Sequence, residues 1–328
     1  MTITRREMGA MLLGGAAAFA APSFAAGSSF PAAGRSLRLI VPFPPGGVTD
    51  LVARRVATDL GATLGAVVVP DNRAGSNGIP AVMSIKGSPA DGYTLFVGFL
   101  GSHATNVSMY ERLSYDPVGE FTPIGLMVDA PAIISIYPGL PIKTLGELIA
   151  YARANPGKLN FGSAGYGGAG HIVLELLKRH AGIDIVHVPY KGTAQLLPDL
   201  LSGTIQGYFD VYSTAAPNIQ AGKVRALAVT AADRLPQLPD LPTARESGFD
   251  LIFSTWLGLF AYGKIPQPVR DRLAEALKTV LDQPTFKQWC AEQGFRPLSG
   301  SPDDLARFAE QETARLGAVI KSANIRVE

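Results

Sequence analysis

The amino-acid sequence predicts an α/β protein built from two similar domains, on three observations. Short runs rich in Val and Ile alternate with segments of helical period, the pattern of βαβ units and a largely parallel sheet. The chain has 328 residues, enough for two domains of about 150 residues each. Finally, Ile40-Val41-Pro42-Phe43 is echoed by His187-Val188-Pro189-Tyr190, each ending a strand and soon followed by glycine. Two related α/β halves produce such an echo, although coincidence produces it almost as readily.

The elements follow in order. Leu37 to Val41 reads as the first strand. Thr49 opens a helix in which Val52, Val56 and Leu60 recur every four residues and so share one face. Ala66 to Val69 and Tyr93 to Val97 are the next strands, the latter entered through the turn Ser88-Pro89-Ala90-Asp91-Gly92. Thr144 and Glu147 form a capping box for a helix carrying Leu145, Leu148, Ile149 and Ala152, which Asn155-Pro156-Gly157 ends. Leu159 to Phe161, Ile185 to Val188, Ile205 to Phe209 and Ala226 to Val229 are strands. His171 to His180 and Leu196 to Leu201 are helical between them. Helices from Pro268 to Leu281 and from Ser301, with Pro302 at the first helical position, complete the chain.

The N-terminus reads as an address. Arg5 and Arg6 precede an apolar Gly/Ala-rich run from Met8 to Ala21, and Ser23-Phe24-Ala25 supplies small residues for cleavage after Ala25. Residues 1–25 are therefore expected to be an export signal, and Thr4-Arg5-Arg6-Glu7-Met8 resembles the twin-arginine type. Cleavage removes Arg5, Arg6 and Glu7 and lowers the formal net charge of +2 by one. With 29 basic against 27 acidic residues, no positive surplus exists for a phosphate backbone, so nucleic acid is not an expected partner. The single cysteine, Cys290, allows no intrachain disulfide. The four histidines, 103, 171, 180 and 187, show no metal-ligand spacing, and no metal site is expected.

Two glycine-rich segments each join a strand to a helix. In Val41-Pro42-Phe43-Pro44-Pro45-Gly46-Gly47-Val48-Thr49-Asp50, the prolines stiffen the loop, and Gly46, Gly47, Val48 and Thr49 offer N–H groups at a helix N-terminus. That arrangement suits a carboxylate or similar small anion. It lacks the Gly-Lys-Ser/Thr ending of a nucleotide loop; a plain strand-to-helix turn is the alternative reading. The second segment runs from Phe161 through Ser163, Ala164, Gly165, Tyr166, Gly167, Gly168 and Gly170 to His171. Its glycines match G-x-G-x-x-G, but Asp184 precedes the next strand where a ribose-binding acid should end it. Ser163 has Phe161 where a nucleophile elbow demands glycine. A second anion-binding loop fits better than either enzyme reading. His171 either donates to the anion or packs. Asp210 ends its strand at the edge where open α/β sheets bind ligands, and could hold an amine or orient a loop. Trp256 and Trp289 are expected to be core or hinge packing rather than ligand platforms.

The run Val41 to Asp50, then Asp71-Asn72-Arg73-Ala74-Gly75, Ala90-Asp91-Gly92-Tyr93-Thr94-Leu95, Asn160 to His171, Val188-Pro189-Tyr190-Lys191-Gly192 and Ala226-Leu227-Ala228-Val229-Thr230 together resemble, in order, the Bug (Bordetella uptake gene) family. These are solute-binding receptors of tripartite tricarboxylate transporters. The resemblance covers the mature chain and implies a type II periplasmic binding-protein fold, with a ligand cleft between two Rossmann-like lobes. It implies that the loops matching Phe43 to Asp50 and Ser163 to His171 grip a ligand carboxylate, partly through ordered water. The expected ligand-binding residues are Phe43, Pro44, Gly46, Gly47, Thr49, Asp50, Ser163, Ala164, Gly165, Gly168, His171, Thr193 and Asp210. No catalytic residue and no cofactor are expected. The chain departs from the family at Tyr166, often a small polar residue, and at Gly168, often Ser or Thr. Tyr166 would reshape the pocket toward a bulkier or aromatic acid.

These readings predict one lobe of residues 35–127 plus 256–328 and another of 128–255, with crossovers near Val128 and Trp256. The expected function is that of a monomeric periplasmic receptor. It closes on a small organic, amino or aromatic acid and presents it to the inner-membrane permease subunits of a tripartite transporter. An exported dehydrogenase or hydrolase, and a ligand-sensing partner of a membrane kinase, are the alternatives.

Overall fold

The structure, a computed structural model, describes residues 30–326; the export signal expected over residues 1–25 lies outside them. Strand β1 (Leu37–Val41) leads into α1 (Val48–Leu64), β2 (Val68–Asn72), α2 (Ile79–Met83) and β3 (Thr94–Phe99). A π-helical turn at Gly101–Thr105 runs into α3 (Asn106–Met109), and β4 (Phe121–Pro131) passes almost directly into β5 (Ile133–Ile136). Next come α4 (Leu145–Ala154), β6 (Asn160–Ser163), α5 (Ala169–Ala181), β7 (Val186–Pro189), α6 (Thr193–Ser202), β8 (Gly207–Asp210), α7 (Tyr212–Gln220) and β9 (Arg225–Val229). The chain continues through β10 (Ser254–Tyr262), α8 (Gln267–Asp282), α9 (Pro284–Gln293), β11 (Arg296–Pro297) and α10 (Pro302–Ser322).

The strands form two sheets, ordered β11-β4-β10-β3-β1-β2 and β7-β6-β8-β5-β9. Both are mixed rather than largely parallel. β1 pairs in parallel with β2 and β3, and β6 with β7 and β8. β10 instead runs antiparallel to β3 and β4, and β5 antiparallel to β8 and β9. The reason is the connection between the sheets. β4 carries the chain out of the first sheet and β10 brings it back, so the two lie antiparallel, from Tyr262 opposite Phe121 to Ser254 opposite Pro131. None of β4, β5 and β10 is among the strands read from the sequence; Pro123 and Pro131 interrupt the apolar run of β4, and proline demotes a strand, whereas β10 carries a proline-free apolar run from Trp256 to Tyr262. Apart from β11, which the sequence reading does not include, the remaining strands fall within a few residues of their expected places, β2 two residues later than read.

Helix α1 buries Val52, Val56 and Leu60 completely, each contributing roughly 1.5–3 kcal/mol of apolar burial. Its buried face and that of α8, with Leu273, Leu277 and Val280, belong to one apolar cluster. The capping box at α4 is present: Glu147 N–H donates to Thr144 Oγ1 at 3.1 Å, and the Glu147 carboxylate accepts from Thr144 N–H. Helix α10 has a box of the same kind, with Ser301 and Asp304. It then runs across both halves of the molecule. Phe308 meets the buried Trp256 ring edge-on at 5.3 Å, and Ser322 accepts from Arg179 of α5 at 3.1 Å. Trp256 is thus core at the point where the chain re-enters the first sheet. Among the described residues, no helix is long and apolar enough to cross a membrane.

Candidate functional site

The loop after β1 is held by one buried carboxylate. Asp50 Oδ2 accepts from Gly46 N–H at 3.0 Å and from Arg54 Nε at 2.9 Å, while Oδ1 accepts from Asn72 Nδ2 at 2.9 Å. Asn72 Nδ2 also donates to the Phe43 carbonyl at 2.9 Å, so both ends of the loop are tied to one point. Burial alone would raise the Asp50 pKa. The bonds from Arg54, Gly46 and Asn72 outweigh it and hold the carboxyl below its ordinary value, keeping the group ionised. Asp50 and the Gly46 N–H are therefore spent on shaping the loop, and Gly46 takes the left-handed φ of 89° that the turn requires. The N–H groups of Gly47, Val48 and Thr49 make no hydrogen bond within the described residues, as the first turn of a helix dictates. The Thr49 hydroxyl is likewise unpartnered. Phe43 packs edge-on against Phe99 at 4.8 Å. Pro44 faces the other half of the molecule, where a Cβ added to Gly192 would stand 3.4 Å from its Cγ.

The second glycine loop is organised by its own side chains. Ser163 Oγ donates to the Gly165 carbonyl at 2.8 Å, lies 2.7 Å from His187 Nε2, and accepts from Gly165 N–H at 3.3 Å. Gly168 N–H donates back to the Gly165 carbonyl at 3.2 Å. Gly167 N–H donates to His171 Nδ1 at 3.0 Å. That bond makes Nδ1 an acceptor and leaves the His171 proton on Nε2. The His171 and His187 rings stack at 3.7 Å, 7° from parallel, and Tyr166 lies over them at 4.7 and 5.9 Å. Burial, reinforced by His187 and Lys178, pushes the His171 pKa down to about 3. Burial and Lys178 push His187 down to about 4. Both rings are neutral at pH 7, so His171 positions the loop and brings no positive charge to an anion. Among the described residues, the N–H groups of Ala164, Tyr166, Ala169 and Gly170 find no partner.

The depressed histidines make a signed prediction. Their unfolded forms take up protons near pH 6.5 and their folded forms do not, so stability should fall as pH drops from about 6.5 toward 4. Urea unfolding at pH 7 and pH 4.5 should show this loss, and His187→Gln should shrink it. An equal loss in the variant would mean that other groups carry the acid sensitivity.

The remaining expected residues sit on the same edge of the second sheet. Thr193 opens α6, its Oγ1 3.1 Å from the hydroxyl of buried Tyr208. Asp210 ends β8, where Oδ1 accepts from Val211 N–H at 2.8 Å and from the Thr214 hydroxyl in the first turn of α7. Its Oδ2 has no partner among the described residues. Burial pushes the carboxyl up to about 6, against the smaller lowering by Thr214 and Val211. Gly170 lies against Ser163 and the Phe209 carbonyl, which brings the glycine loop beside Asp210. The two halves meet where Thr105 Oγ1 donates to the Gly167 carbonyl at 3.0 Å. Residues 43–50 and 163–171 contain no Lys or Arg, so the donors these two loops present are uncharged: open backbone N–H groups and the side chains of Thr49, Tyr166 and His171.

Sequence reasoning missed Asn77, Thr105, Asn106, Tyr208 and the pairing of His187 with Ser163. Asn77-Gly78 did carry a turn signal, and Asn77 adopts φ 51° there. The others carry no local signature, because their partners lie far away in the chain.

A family model described as the tripartite tricarboxylate transporter family receptor matches residues 52–325. Among solved structures, R. palustris Rpa4515 with adipate superposes with a TM-score of 0.86 at 37% identity, covering 91% of this chain and 99% of that one. MatC from Rhodopseudomonas palustris with bound malate gives 0.80 at 33% identity, over 87% of this chain and 99% of that one. Protein BugT of Bordetella pertussis is 31% identical over 95% of both chains. These structures share the two-sheet α/β binding-protein fold, as the sequence resemblance implied.

Proposed function

The chain belongs to the tripartite tricarboxylate transporter receptor family, and on that premise we propose that it captures a small carboxylate between its two sheets for delivery to a tripartite permease. The reading rests first on one observation: the helix N-terminus at Gly47–Thr49 keeps open N–H donors in the same loop as Pro44, which meets Gly192 at the start of α6. Backbone dipoles at fixed positions favour a carboxylate and need no basic side chain. The family's binding proteins are periplasmic, and two similar structures carry adipate and malate, which supports a mono- or dicarboxylic acid of that size. In this reading the lobes are residues 35–127 plus 256–328 and residues 128–255, they close by a hinge in β4 and β10, and the ligand stabilises the closed form. Residues 1–25 direct export and are removed, and the mature receptor acts as a monomer that serves permease subunits.

Ser163 does not support a hydrolase reading. It is buried, its hydroxyl is committed to Gly165 and His187, and a histidine with a pKa near 4 is a poor base at neutral pH.

Thermal melting of the mature protein, refolded to strip ligand, tests the proposal against mono- and dicarboxylates, amino acids and aromatic acids. A bound acid at 100 times its dissociation constant adds about 2.7 kcal/mol, so a selective rise of a few degrees is expected. A flat panel together with an empty denatured extract by mass spectrometry would remove the receptor reading.

A further inference from the structure

Gly167 is held from two directions. Its N–H donates to His171 Nδ1 of its own half at 3.0 Å, and its carbonyl accepts from Thr105 Oγ1 of the other half at 3.0 Å. Its φ is 71°, and a Cβ there would collide with Met109 of α3, so the backbone itself packs against the first half. Thr105 ends the π-helical turn, a wide turn that recurs at functional positions. It is also the last member of a buried polar network. Asn77 Nδ2 donates to Asn106 Oδ1 at 2.7 Å and approaches Thr105 Oγ1 at 3.4 Å. Asn106 Nδ2 donates to the Asn77 carbonyl at 3.1 Å and to Tyr115 Oη at 3.0 Å, and Tyr115 Oη donates to the Ser102 carbonyl at 2.7 Å.

All of those partners lie in the first half. The Thr105 proton alone reaches an acceptor in the second, 62 positions away in sequence.

We propose that Thr105 is a cross-cleft positioning residue, whose hydroxyl registers the glycine loop against the first half when the molecule closes. The inference rests on the receptor reading above and deepens it by assigning part of the closure free energy to a protein–protein contact. Thr105 touches no ligand in this scheme. It acts through Gly167, whose neighbours Tyr166, Ala169 and Gly170 carry the open N–H groups of the loop. When the halves separate, the Asn77–Asn106–Tyr115 network stays satisfied and only the hydroxyl and the Gly167 carbonyl exchange each other for water. A contact present in one state and absent in the other shifts the population between them.

The test measures closure without ligand. Nitroxide labels placed one on each half, through Lys143→Cys and Lys278→Cys, report the separation by pulsed electron resonance; Cys290 is buried and does not interfere. Thr105→Val keeps the shape and removes the donor, Thr105→Ser keeps the donor, and Thr105→Ala serves if the valine variant does not fold. The valine variant should move the unliganded distribution toward longer separations, and the serine variant should restore it. With an acid taken from the melting panel, the valine variant should also raise the dissociation constant about threefold to tenfold, the span expected for one neutral hydrogen bond, mainly through faster release. Matching distance distributions for wild type, valine and alanine variants would overturn the proposal while leaving the receptor reading intact. Failure of every acid in the panel would strike the receptor reading and leave the distance result standing.

Discussion

Gly47→Trp is expected to abolish ligand binding with the fold unharmed. Gly47 caps α1 with φ −86° and ψ 172°, a conformation any L-residue adopts. No atom lies within 4 Å of the position its Cβ would take. A large side chain therefore enters open space in front of the Gly47, Val48 and Thr49 N–H groups instead of displacing the core. Charge-assisted bonds to a carboxylate are worth about 1.5–3 kcal/mol each, so blocking two of them should weaken binding by roughly 100-fold or more. Calorimetric titration with a panel acid, beside the melting curve of each protein, checks both halves of the statement. Gly47→Ser should bind normally and melt slightly higher, since serine is a preferred N-cap. Wild-type affinity in the tryptophan variant would take this loop out of the site.

Asp210→Asn should stabilise the protein above pH 6 and leave it unchanged near pH 4. The folded carboxyl titrates near 6 against an ordinary 3.8. Between those values the folded state holds more protons than the unfolded one, so stability falls as pH rises and then stays low. The difference amounts to about 2–3 kcal/mol for a group this buried. Asparagine keeps an oxygen for Val211 N–H and Thr214 and replaces the unpartnered Oδ2 with an uncharged donor. Melting at pH 8 and pH 4 should show a gain of several degrees only at the higher pH. Equal melting points at pH 8 would mean that the ionised carboxylate is already compensated, for instance by water. The ionised carboxylate sets only the two bonds on Oδ1 against its desolvation, and asparagine can keep both.

Much of this was legible in the sequence for local reasons. The capping box of Thr144 and Glu147, the four-residue recurrence of Val52, Val56 and Leu60, and the glycine-to-helix junctions at Gly47 and Gly168 are each set within one turn or one strand. The ordered set of loop motifs carried the family. β4 was hidden because Pro123 and Pro131 break its apolar run, whereas β10 carries a proline-free run, Trp256 to Tyr262, that a local pattern does reveal. Asp50 and His171 belong to the two loops as expected, yet both turn inward and hold those loops in shape.

The sequence alone determined the α/β class, the two glycine loops and the family, because periodicity, capping and turn chemistry depend on neighbours a few residues apart. Only the tertiary structure decided which donors stay open, why His171 is neutral, why Asp210 titrates high and that Thr105 meets Gly167. Those properties follow from burial and from partners tens of residues away, such as Asn72 on Asp50 or His187 on Ser163, and no local pattern in the chain encodes such distances.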